Sequence, residues 1–265
     1  MTPVAGNVLI TGATGGLGTA IARAFAARGA SLVLTGRRAD VLDELVAQVG
    51  GRSLPCDLAD REQVDRLVEE ARKIPVDILV ANAGLPATGL LTALPQEKID
   101  RLLEVNLRAP IALARALAPG MMERRRGHMV FMSSLSGKAA SASSSLYAAT
   151  KFGLRGFALS CREDLRSYGV GVSVVLPGFI RDAGMFADAN IKLPPGVGTR
   201  TSQDVADAVI SAIERNRAEV DVAPATLRIG ATIAGAAPAL AASGQRLLGG
   251  RKIASELASS QRSKH

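Results

Sequence analysis

The sequence predicts an α/β protein built on a doubly wound parallel β-sheet. Short apolar runs alternate with segments of helical periodicity as far as residue 222, which is the pattern of right-handed strand–helix–strand units. The run Val76–Val80 is apolar without interruption, as expected for a parallel strand that is buried on both faces. The chain has 265 residues, of which 48% are hydrophobic, so it is long enough to bury one large core.

A boundary is predicted after the last strand. Residues 1–222 form the predicted α/β domain, and residues 223–265 form a helical extension. From Pro224 to Leu248 the extension is rich in small residues, which indicates two helices broken near Pro238. The end of the chain, with its serines, Lys264 and His265, is expected to be disordered.

A glycine-rich turn follows the first predicted strand, Val4–Ile10, and precedes a helical pattern from Ile21 to Arg28. Glycine lets the backbone approach a pyrophosphate, and the start of a helix offers free N–H groups and a positive dipole. The spacing is Gly-x-x-x-Gly-x-Gly. This context predicts a dinucleotide phosphate site made of Gly12, Thr14, Gly15, Gly16, Leu17 and Gly18.

The second predicted strand, Ser31–Thr35, ends in Gly36, Arg37 and Arg38. In a dinucleotide fold this end faces the adenosine ribose, where an acidic residue binds the 2′-hydroxyl and arginine accommodates a 2′-phosphate. The two arginines therefore favour NADP(H) over NAD(H). For Arg38 the alternative is a solvated residue at the start of the next helix.

The following elements alternate in the same way. A helix is predicted at Val41–Val49, a strand at Arg52–Pro55 and a helix at Glu62–Arg72. The loop between the last two contains Asp57 and Leu58, and Val76–Val80 leads into Asn82, Ala83 and Gly84.

Gln96–Arg115 is predicted to be one long helix with Pro110 inside it. Proline has no N–H, so it cannot donate to the carbonyl of Asn106, four residues earlier. A carbonyl freed inside a helix needs water or another donor. The sequence leaves open whether Pro110 is a simple kink or part of a built water site.

The second half of the chain continues the alternation. The predicted strands are His128–Met132, which ends at Ser134, then Val170–Leu176 and Glu219–Val222; the predicted helices are Tyr147–Tyr168 and Asp204–Asn216. Pro177, Gly178 and Ile180 leave the end of a strand, and residues 181–203 form an apolar segment interrupted by glycine and proline.

Tyr147 and Lys151 lie four positions apart in a predicted helix and therefore share one face. An adjacent ammonium favours phenolate, so this pairing is expected to lower the phenol pKa from its usual value of about 10 towards the range useful for acid–base catalysis. Tyr-x-x-x-Lys alone is also compatible with an ordinary solvated helix face.

Composition excludes several other classes. The net charge is +8, but no aromatic-basic platform accompanies it, so no nucleic-acid partner is expected. Two distant cysteines and two histidines predict neither a disulfide framework nor a metal site. The start of the chain does not resemble a signal peptide, which favours a cytoplasmic location, and residues 229–245 indicate packed small-residue helices rather than a membrane span.

Taken together, these motifs resemble the short-chain dehydrogenase/reductase family, whose members share a Rossmann fold. The resemblance covers roughly residues 4–222. It rests on motifs in the expected order: Thr11-Gly-x-x-x-Gly-x-Gly18, Asp57-Leu58, Asn82-Ala83-Gly84, Asn106, Ser134, Tyr147-x-x-x-Lys151 and Pro177-Gly178.

The resemblance implies a role for each matched residue. Tyr147 would be the catalytic acid or base, Lys151 would lower its pKa and hold the nicotinamide ribose, and Ser134 would stabilise the substrate oxygen. Asn106 would hold a water that links Lys151 to solvent, which favours the water-site alternative for Pro110. Asp57 and Leu58 would bracket the adenine, Ile180 would contact the nicotinamide carboxamide, and the other cofactor-binding residues would be Asn82, Ala83, Gly84, Pro177 and Gly178.

The resemblance implies an NADP-dependent oxidoreductase that interconverts a carbonyl and a secondary alcohol. The apolar segment 181–203 suggests a hydrophobic substrate, and the family implies a homodimer or homotetramer through Gln96–Arg115 and Tyr147–Tyr168. One departure is Asp182, where family members often carry threonine. The alternatives are a non-catalytic dinucleotide-binding sensor or scaffold, a lyase or isomerase that recycles its cofactor, and a C-terminal contact with a membrane surface.

Overall fold

One parallel β-sheet runs through the part of the chain that the computed structural model describes, residues 4–189 and 197–239. Its seven strands are β1 Asn7–Thr11, β2 Ser31–Thr35, β3 Arg52–Ser53, β4 Ile78–Ala81, β5 Gly127–Met132, β6 Val170–Pro177 and β7 Glu219–Val222. Their order in the sheet is β3-β2-β1-β4-β5-β6-β7, and every pair is parallel. The predicted doubly wound parallel sheet is confirmed.

Helices connect the strands and cover both faces of the sheet. They are α1 Gly16–Ala26, α2 Ala39–Val49, α3 Arg61–Arg72, α4 Gln96–Leu103, α5 Ala109–Glu123, α6 Ser145–Arg166, α7 Gly184–Ala189, α8 Ser202–Glu214 and α9 Ala225–Ala236. Two short 3₁₀ turns, Leu91–Ala93 and Leu135–Gly137, follow β4 and β5.

The core consists of two apolar layers, one on each face of the sheet. Ile10 of β1 faces the layer formed with α1, α2 and α8, whereas the adjacent Leu9 faces the layer formed with α3, α5 and α6. Both side chains are fully buried. Burial of each such side chain contributes about 1.5–3 kcal/mol, so strands apolar on both faces are strongly favoured at the centre of the sheet.

The strand order changes direction between β1 and β4, because the chain builds outward through β2 and β3 and then returns to the other side of β1. In open α/β sheets the loops at the carboxyl ends of the strands separate at such a point and leave a crevice for ligands. The glycine-rich turn after β1 and the Asn82–Gly84 loop after β4 flank this crevice.

Most predicted boundaries lie within a few residues of the observed ones, and β2 and β7 agree to the residue. The helix predicted for Gln96–Arg115 lies within a continuous helical stretch, but the middle of that stretch is not α-helical. α4 ends at Leu103, a π-helical segment occupies Glu104–Arg108, and α5 then continues to Glu123.

Hydrogen bonds in the π-helical segment span five residues instead of the four of an α-helix, as the N–H of Ala109 donating to the carbonyl of Glu104 shows. Pro110 lies in the first turn of α5, where an N–H would have no partner within that helix. The chain thus accommodates the proline directly after the π-helical segment, without a break in the helical backbone. Asn106 lies inside the π-helical segment and is completely buried.

The C-terminal extension begins with α9, which packs against the 3₁₀ turn after β5: a Cβ on Gly235 would lie 3.0 Å from the carbonyl oxygen of Lys138. The second helix predicted before Leu248 and the end of the chain lie outside the described residues. No described helix is both long and apolar enough to cross a bilayer.

Candidate active site

The glycine-rich turn after β1 is folded too tightly for side chains at two positions. Gly12 has a φ of 65°, and a Cβ there would lie 2.8 Å from the Cα of Ala83. A Cβ on Gly18 would lie 2.2 Å from the carbonyl oxygen of Gly12. The turn therefore presents bare backbone at the start of α1 and directly beside the loop after β4, which is the cradle that a pyrophosphate needs.

Hydrogen bonds fasten the two loops of the crevice together. The hydroxyl of Thr11 accepts the N–H groups of Asn82 and Ala83 at 3.1 and 3.0 Å. The side-chain amide of Asn82 donates back to the carbonyls of Thr11 and Gly12 at 3.0 and 3.2 Å. Asn82 and Ala83 thus fix the position of the phosphate loop, which sequence reasoning alone did not show.

Arg38 is more than a solvated residue at the start of a helix. It directly precedes α2, and its guanidinium donates to the carbonyl of Thr14 at 2.8 Å. This bond brings a permanent positive charge to the tip of the phosphate loop. Arg37 is exposed beside it, so both predicted arginines stand at the same end of β2.

Asp57 lies in the loop after β3, and its carboxylate is held by Arg101 of α4 at 2.8 and 3.2 Å and by the N–H of Ala59 at 3.0 Å. Burial raises the pKa of Asp57, but these hydrogen bonds outweigh it and lower that pKa overall. Leu58 is buried in the core. Arg101 was missed from the sequence because it looks like any other charged residue on a helix surface.

Asn106 links three elements of the site through its side chain. Its amide oxygen accepts the N–H of Leu85 at 2.7 Å, and its amide nitrogen donates to the carbonyl of Leu85 at 2.9 Å and to the hydroxyl of Thr150 at 3.3 Å. The π-helical segment turns this residue inward. Asn106 therefore ties the loop after β4 to α6, one residue before Lys151.

Ser134, Tyr147 and Lys151 come together at the carboxyl end of β5. The hydroxyl of Ser134 accepts the N–H of Ser136 at 3.1 Å, donates to the carbonyl of Pro177 at 3.5 Å, and lies beside the phenol of Tyr147, whose pKa it acts to lower. The ammonium of Lys151 lies 5.6 Å from the centroid of the Tyr147 ring and donates to the carbonyl of Met132 at 2.9 Å. A Cβ on Gly84 would lie 3.3 Å from this nitrogen, so the loop after β4 closes over the lysine.

Burial shifts the pKa values of both members of this pair. Burial raises the pKa of Tyr147 to about 12, although the hydrogen bond with Ser134 opposes this shift, and burial lowers the pKa of Lys151 to about 8. Both shifts favour the neutral form of each group. Burial sets the direction of the Tyr147 shift, and the expectation that Lys151 lowers the phenol pKa stays a prediction.

The loop after β6 reaches the phosphate cradle through a residue that the sequence did not single out. Gly178 donates its N–H to the carbonyl of Val222 at 3.0 Å, and Ile180 is buried. A Cβ on Gly16 would lie 2.6 Å from the Cβ of Ala183. Ala183 thus faces the glycine-rich turn, in a position that no sequence motif marks.

Asp182, the departure from the family pattern, is occupied elsewhere. Its carboxylate accepts the N–H of Ser202 at 2.8 Å and the hydroxyl of the same residue at 3.0 Å. Ser202 is the first residue of α8, so the negative charge lies at the positive end of a helix.

Comparison with known proteins identifies the family. The family model for short-chain dehydrogenases matches residues 6–193. The chain belongs to the short-chain dehydrogenase family. This agrees with the resemblance predicted from the sequence.

Individual relatives are consistent with this family. Ketoacyl reductase HetN of Nostoc sp. is 37% identical over 230 residues, which cover 84% of this chain and 80% of that protein. A short-chain dehydrogenase from Sphingobium yanoikuyae in complex with NADPH is 28% identical with a TM-score of 0.77, covering 92% of this chain and 94% of its own.

A third similar structure is the bulky-bulky ketone-specific alcohol dehydrogenase of Comamonas testosteroni. It is 25% identical with a TM-score of 0.74, covering 92% of this chain and 93% of its own. This short-chain dehydrogenase is therefore an oxidoreductase that acts on CH–OH or keto groups. The bare cradle and the arginines beside it fit a nicotinamide dinucleotide.

The tight packing of the cradle can be tested with two neighbouring glycines. Gly18→Ala would place a methyl group 2.2 Å from a backbone oxygen, so the turn must shift, whereas the Cβ of Gly15→Ala would make an ordinary 3.5 Å contact. We expect Gly18→Ala to lower the free energy of unfolding by about 1–3 kcal/mol. Gly15→Ala, with the same change in chemistry, should leave it within about 0.5 kcal/mol.

Urea denaturation of the two variants and the wild type measures this difference. Equal midpoints for the two variants would show that the turn relaxes freely around Gly18.

Proposed function

We propose that this enzyme is an NADP-dependent oxidoreductase that interconverts a carbonyl and a secondary alcohol, with Tyr147 as its acid and base. The observation that carries the proposal is the placement of Ser134 beside the phenol of Tyr147, with the buried ammonium of Lys151 5.6 Å from the centroid of the same ring. This group lies at the carboxyl edge of the sheet, at the end of β5, one strand from the Asn82 loop that borders the phosphate cradle.

The dinucleotide supplies the hydride when it is bound, and the protein supplies the proton. With a pKa of about 12, the phenol of Tyr147 holds its proton at neutral pH and can donate it to the substrate oxygen during reduction. Ser134 donates to the same oxygen as negative charge develops there. In oxidation the roles reverse, and Tyr147 takes the proton back.

Lys151 assists the phenol in the transition state. Its ammonium lies on the face of the Tyr147 ring, so phenolate character is favoured as the proton leaves. Its pKa of about 8 allows it to take up and release a proton near neutrality. The Asn106 carbonyl, which cannot accept a hydrogen bond from Pro110, would hold the water through which that proton reaches solvent.

The preference for NADP rests on Arg37 and Arg38. Arg38 is fixed against the phosphate loop through Thr14, and Arg37 is exposed at the end of β2, where the ribose 2′-position lies in a dinucleotide fold. Two guanidinium groups there match a 2′-phosphate in charge and donor geometry. The NADPH complex of the Sphingobium yanoikuyae relative supports the same choice.

The substrate is proposed to be an apolar ketone or acyl carbonyl. Tyr147 packs against a small apolar cluster that includes Leu85, Leu94 and Leu146. Other apolar side chains at this edge of the sheet remain exposed: Leu90 at 68%, Leu91 at 58%, Ile229 at 61% and Ile233 at 54%. The names of two relatives, a ketoacyl reductase and a bulky-bulky ketone-specific alcohol dehydrogenase, are compatible with such a substrate.

A homodimer or homotetramer through α4, α5 and α6 is part of the proposal. Leu103 on α4 and Phe152 on α6 are each 38% exposed and would be covered by such contacts. A monomer in light scattering at micromolar concentration would contradict it. The cytoplasmic location and the boundary between residues 1–222 and 223–265 stay predictions.

The role of Tyr147 can be tested against the other tyrosine of the chain. Tyr147→Phe keeps the ring but removes the proton donor, so we expect NADPH-dependent ketone reduction to fall by about 10²–10⁴-fold. Tyr168→Phe removes a hydroxyl from an exposed side chain and should leave the rate unchanged.

The measurement is NADPH oxidation at 340 nm, together with NADPH binding by fluorescence to show that both variants still bind. If the wild-type protein binds NADPH but does not oxidise it with any ketone tested, a sensor or scaffold would be favoured. Turnover without net NADPH oxidation would favour a lyase or isomerase.

Arg37→Ala tests the cofactor preference. We expect the wild type to bind NADPH more tightly than NADH, and the variant to lose most of that preference, because a charge-assisted phosphate contact contributes about 1.5–3 kcal/mol. Fluorescence titration of both cofactors measures it. Tighter binding of NADH by the wild type, or no effect of the substitution, would refute the NADP assignment.

The substrate class can be tested with methyl ketones of increasing chain length. Each methylene that enters an apolar site contributes about 0.8 kcal/mol, so kcat/KM should rise roughly fourfold per carbon until the site is filled. A flat series, or faster turnover of small polar sugars, would contradict an apolar substrate.

A further inference from the structure

The charged residues at the ends of β2 and β3 stand side by side. The N–H of Cys56 donates to the carbonyl of Gly36 at 2.9 Å, so the two strand ends are paired up to these residues. The next residue on one side is Arg37, and on the other side it is Asp57. The positive charge of Arg37 is among the influences that lower the pKa of Asp57, which agrees with their proximity.

An ionised carboxylate in this place opposes the proposed cofactor. At neutral pH Asp57 carries a full negative charge, because its pKa is lowered. Left uncompensated, that charge would repel a 2′-phosphate bound by Arg37 and would also weaken the attraction of Arg37 itself. NADH, which has a hydroxyl in place of the phosphate, would not suffer this repulsion.

The structure pairs this carboxylate with an arginine from a distant helix. Arg101 of α4 donates from one guanidinium nitrogen to both oxygens of Asp57, at 2.8 and 3.2 Å. The side chains of Arg101 and Asp57 are 40% and 29% exposed, so the pair lies at the rim of the crevice and is not part of the core. We therefore expect the fold to tolerate replacement of Arg101.

A neighbouring pair shows that this partnership is specific. Arg61, at the start of α3, is also close to α4, but its guanidinium pairs with Glu104. Arg108 pairs with the same glutamate at 3.4 Å. Among these three arginines, only Arg101 forms an ion pair with Asp57 in the described part of the structure.

We propose that Arg101 is a specificity-determining residue, which favours NADPH over NADH by neutralising Asp57 beside the 2′-phosphate site. The inference rests on the proposed NADP preference. Arg101 acts through Asp57 and is therefore a positioning residue that sets the local charge. It belongs to no motif by which cofactor preference is read from a sequence.

The test is the ratio of the NADH and NADPH dissociation constants, measured by fluorescence titration at low ionic strength. Both cofactors carry the same adenine, so any change in the contact of Asp57 with the adenine ring cancels in this ratio. We expect Arg101→Gln to reduce the ratio by about three- to tenfold, the size expected for one uncompensated charge near a solvated site.

Three further variants separate the explanations. Asp57→Asn combined with Arg101→Gln removes both charges and should restore the ratio to within about twofold of the wild type. Arg101→Lys keeps the charge and should retain most of the ratio. Arg61→Gln is the matched control, since it removes the same charge from the same region but leaves the Asp57 pair intact, and it should have no effect.

Several outcomes would overturn the inference. An unchanged ratio in Arg101→Gln would do so, and so would a double variant that stays as low as the single one, since Arg101 would then act without Asp57. The effect of Arg37→Ala distinguishes the two levels of the argument. If Arg37→Ala abolishes the NADPH preference and Arg101→Gln does not change it, only this inference fails; if neither matters, the NADP assignment itself fails.

Discussion

A buried ammonium is the constraint on which the site depends. Lys151 is only 2% exposed, its ammonium donates to the carbonyl of Met132 at 2.9 Å, and its own carbonyl accepts the hydroxyl of Ser133 at 2.9 Å. A charged group removed from water is tolerated only where hydrogen bonds replace the lost solvation. α6 therefore lies against the end of β5, and the loop after β4 comes close to the ammonium: a Cβ at position 84 would lie 3.3 Å from its nitrogen. Tyr147, one helical turn earlier, is carried to the same edge by this arrangement.

Much of this arrangement could be predicted from local sequence, and the exception is instructive. The bounds of β2 and β7 were predicted to the residue, because a short strand-forming run between turn residues has few alternative boundaries. Tyr147 and Lys151 share a helix face through their spacing alone. The π-helical geometry between Gln96 and Glu123 was not predicted, because periodicity does not reveal a single inserted residue. That insertion turns Asn106 inward, so the missed detail is the one that connects the loop after β4 to α6.

The partners of the charged residues could not be predicted from the sequence, for a different reason. Lys138 is 9% exposed, and its ammonium binds both carboxylate oxygens of Asp221, 83 positions later in the chain, at 2.7 and 2.8 Å. The same ammonium pairs with Glu219 at 2.5 Å. Arg155, one turn after Lys151, pairs with the same glutamate at 2.5 Å. These pairs join the turn that carries Ser134 to β7 and α6. Any of the chain's many charged residues could have served, so only the folded structure selects the partners.

The acidic residues near the cofactor crevice show why a residue type alone does not decide affinity for an anion. Asp182 stands where threonine is often found, and on charge alone it should oppose a pyrophosphate. Its carboxylate instead receives the N–H and hydroxyl of Ser202 at the start of α8, so a helix dipole compensates it and Ala183 faces the cradle. Asp57 is also compensated, in its case by the guanidinium of Arg101. What an anionic ligand meets is the charge that remains after such pairing, and here the remaining charge at the end of β2 is that of Arg37 and Arg38.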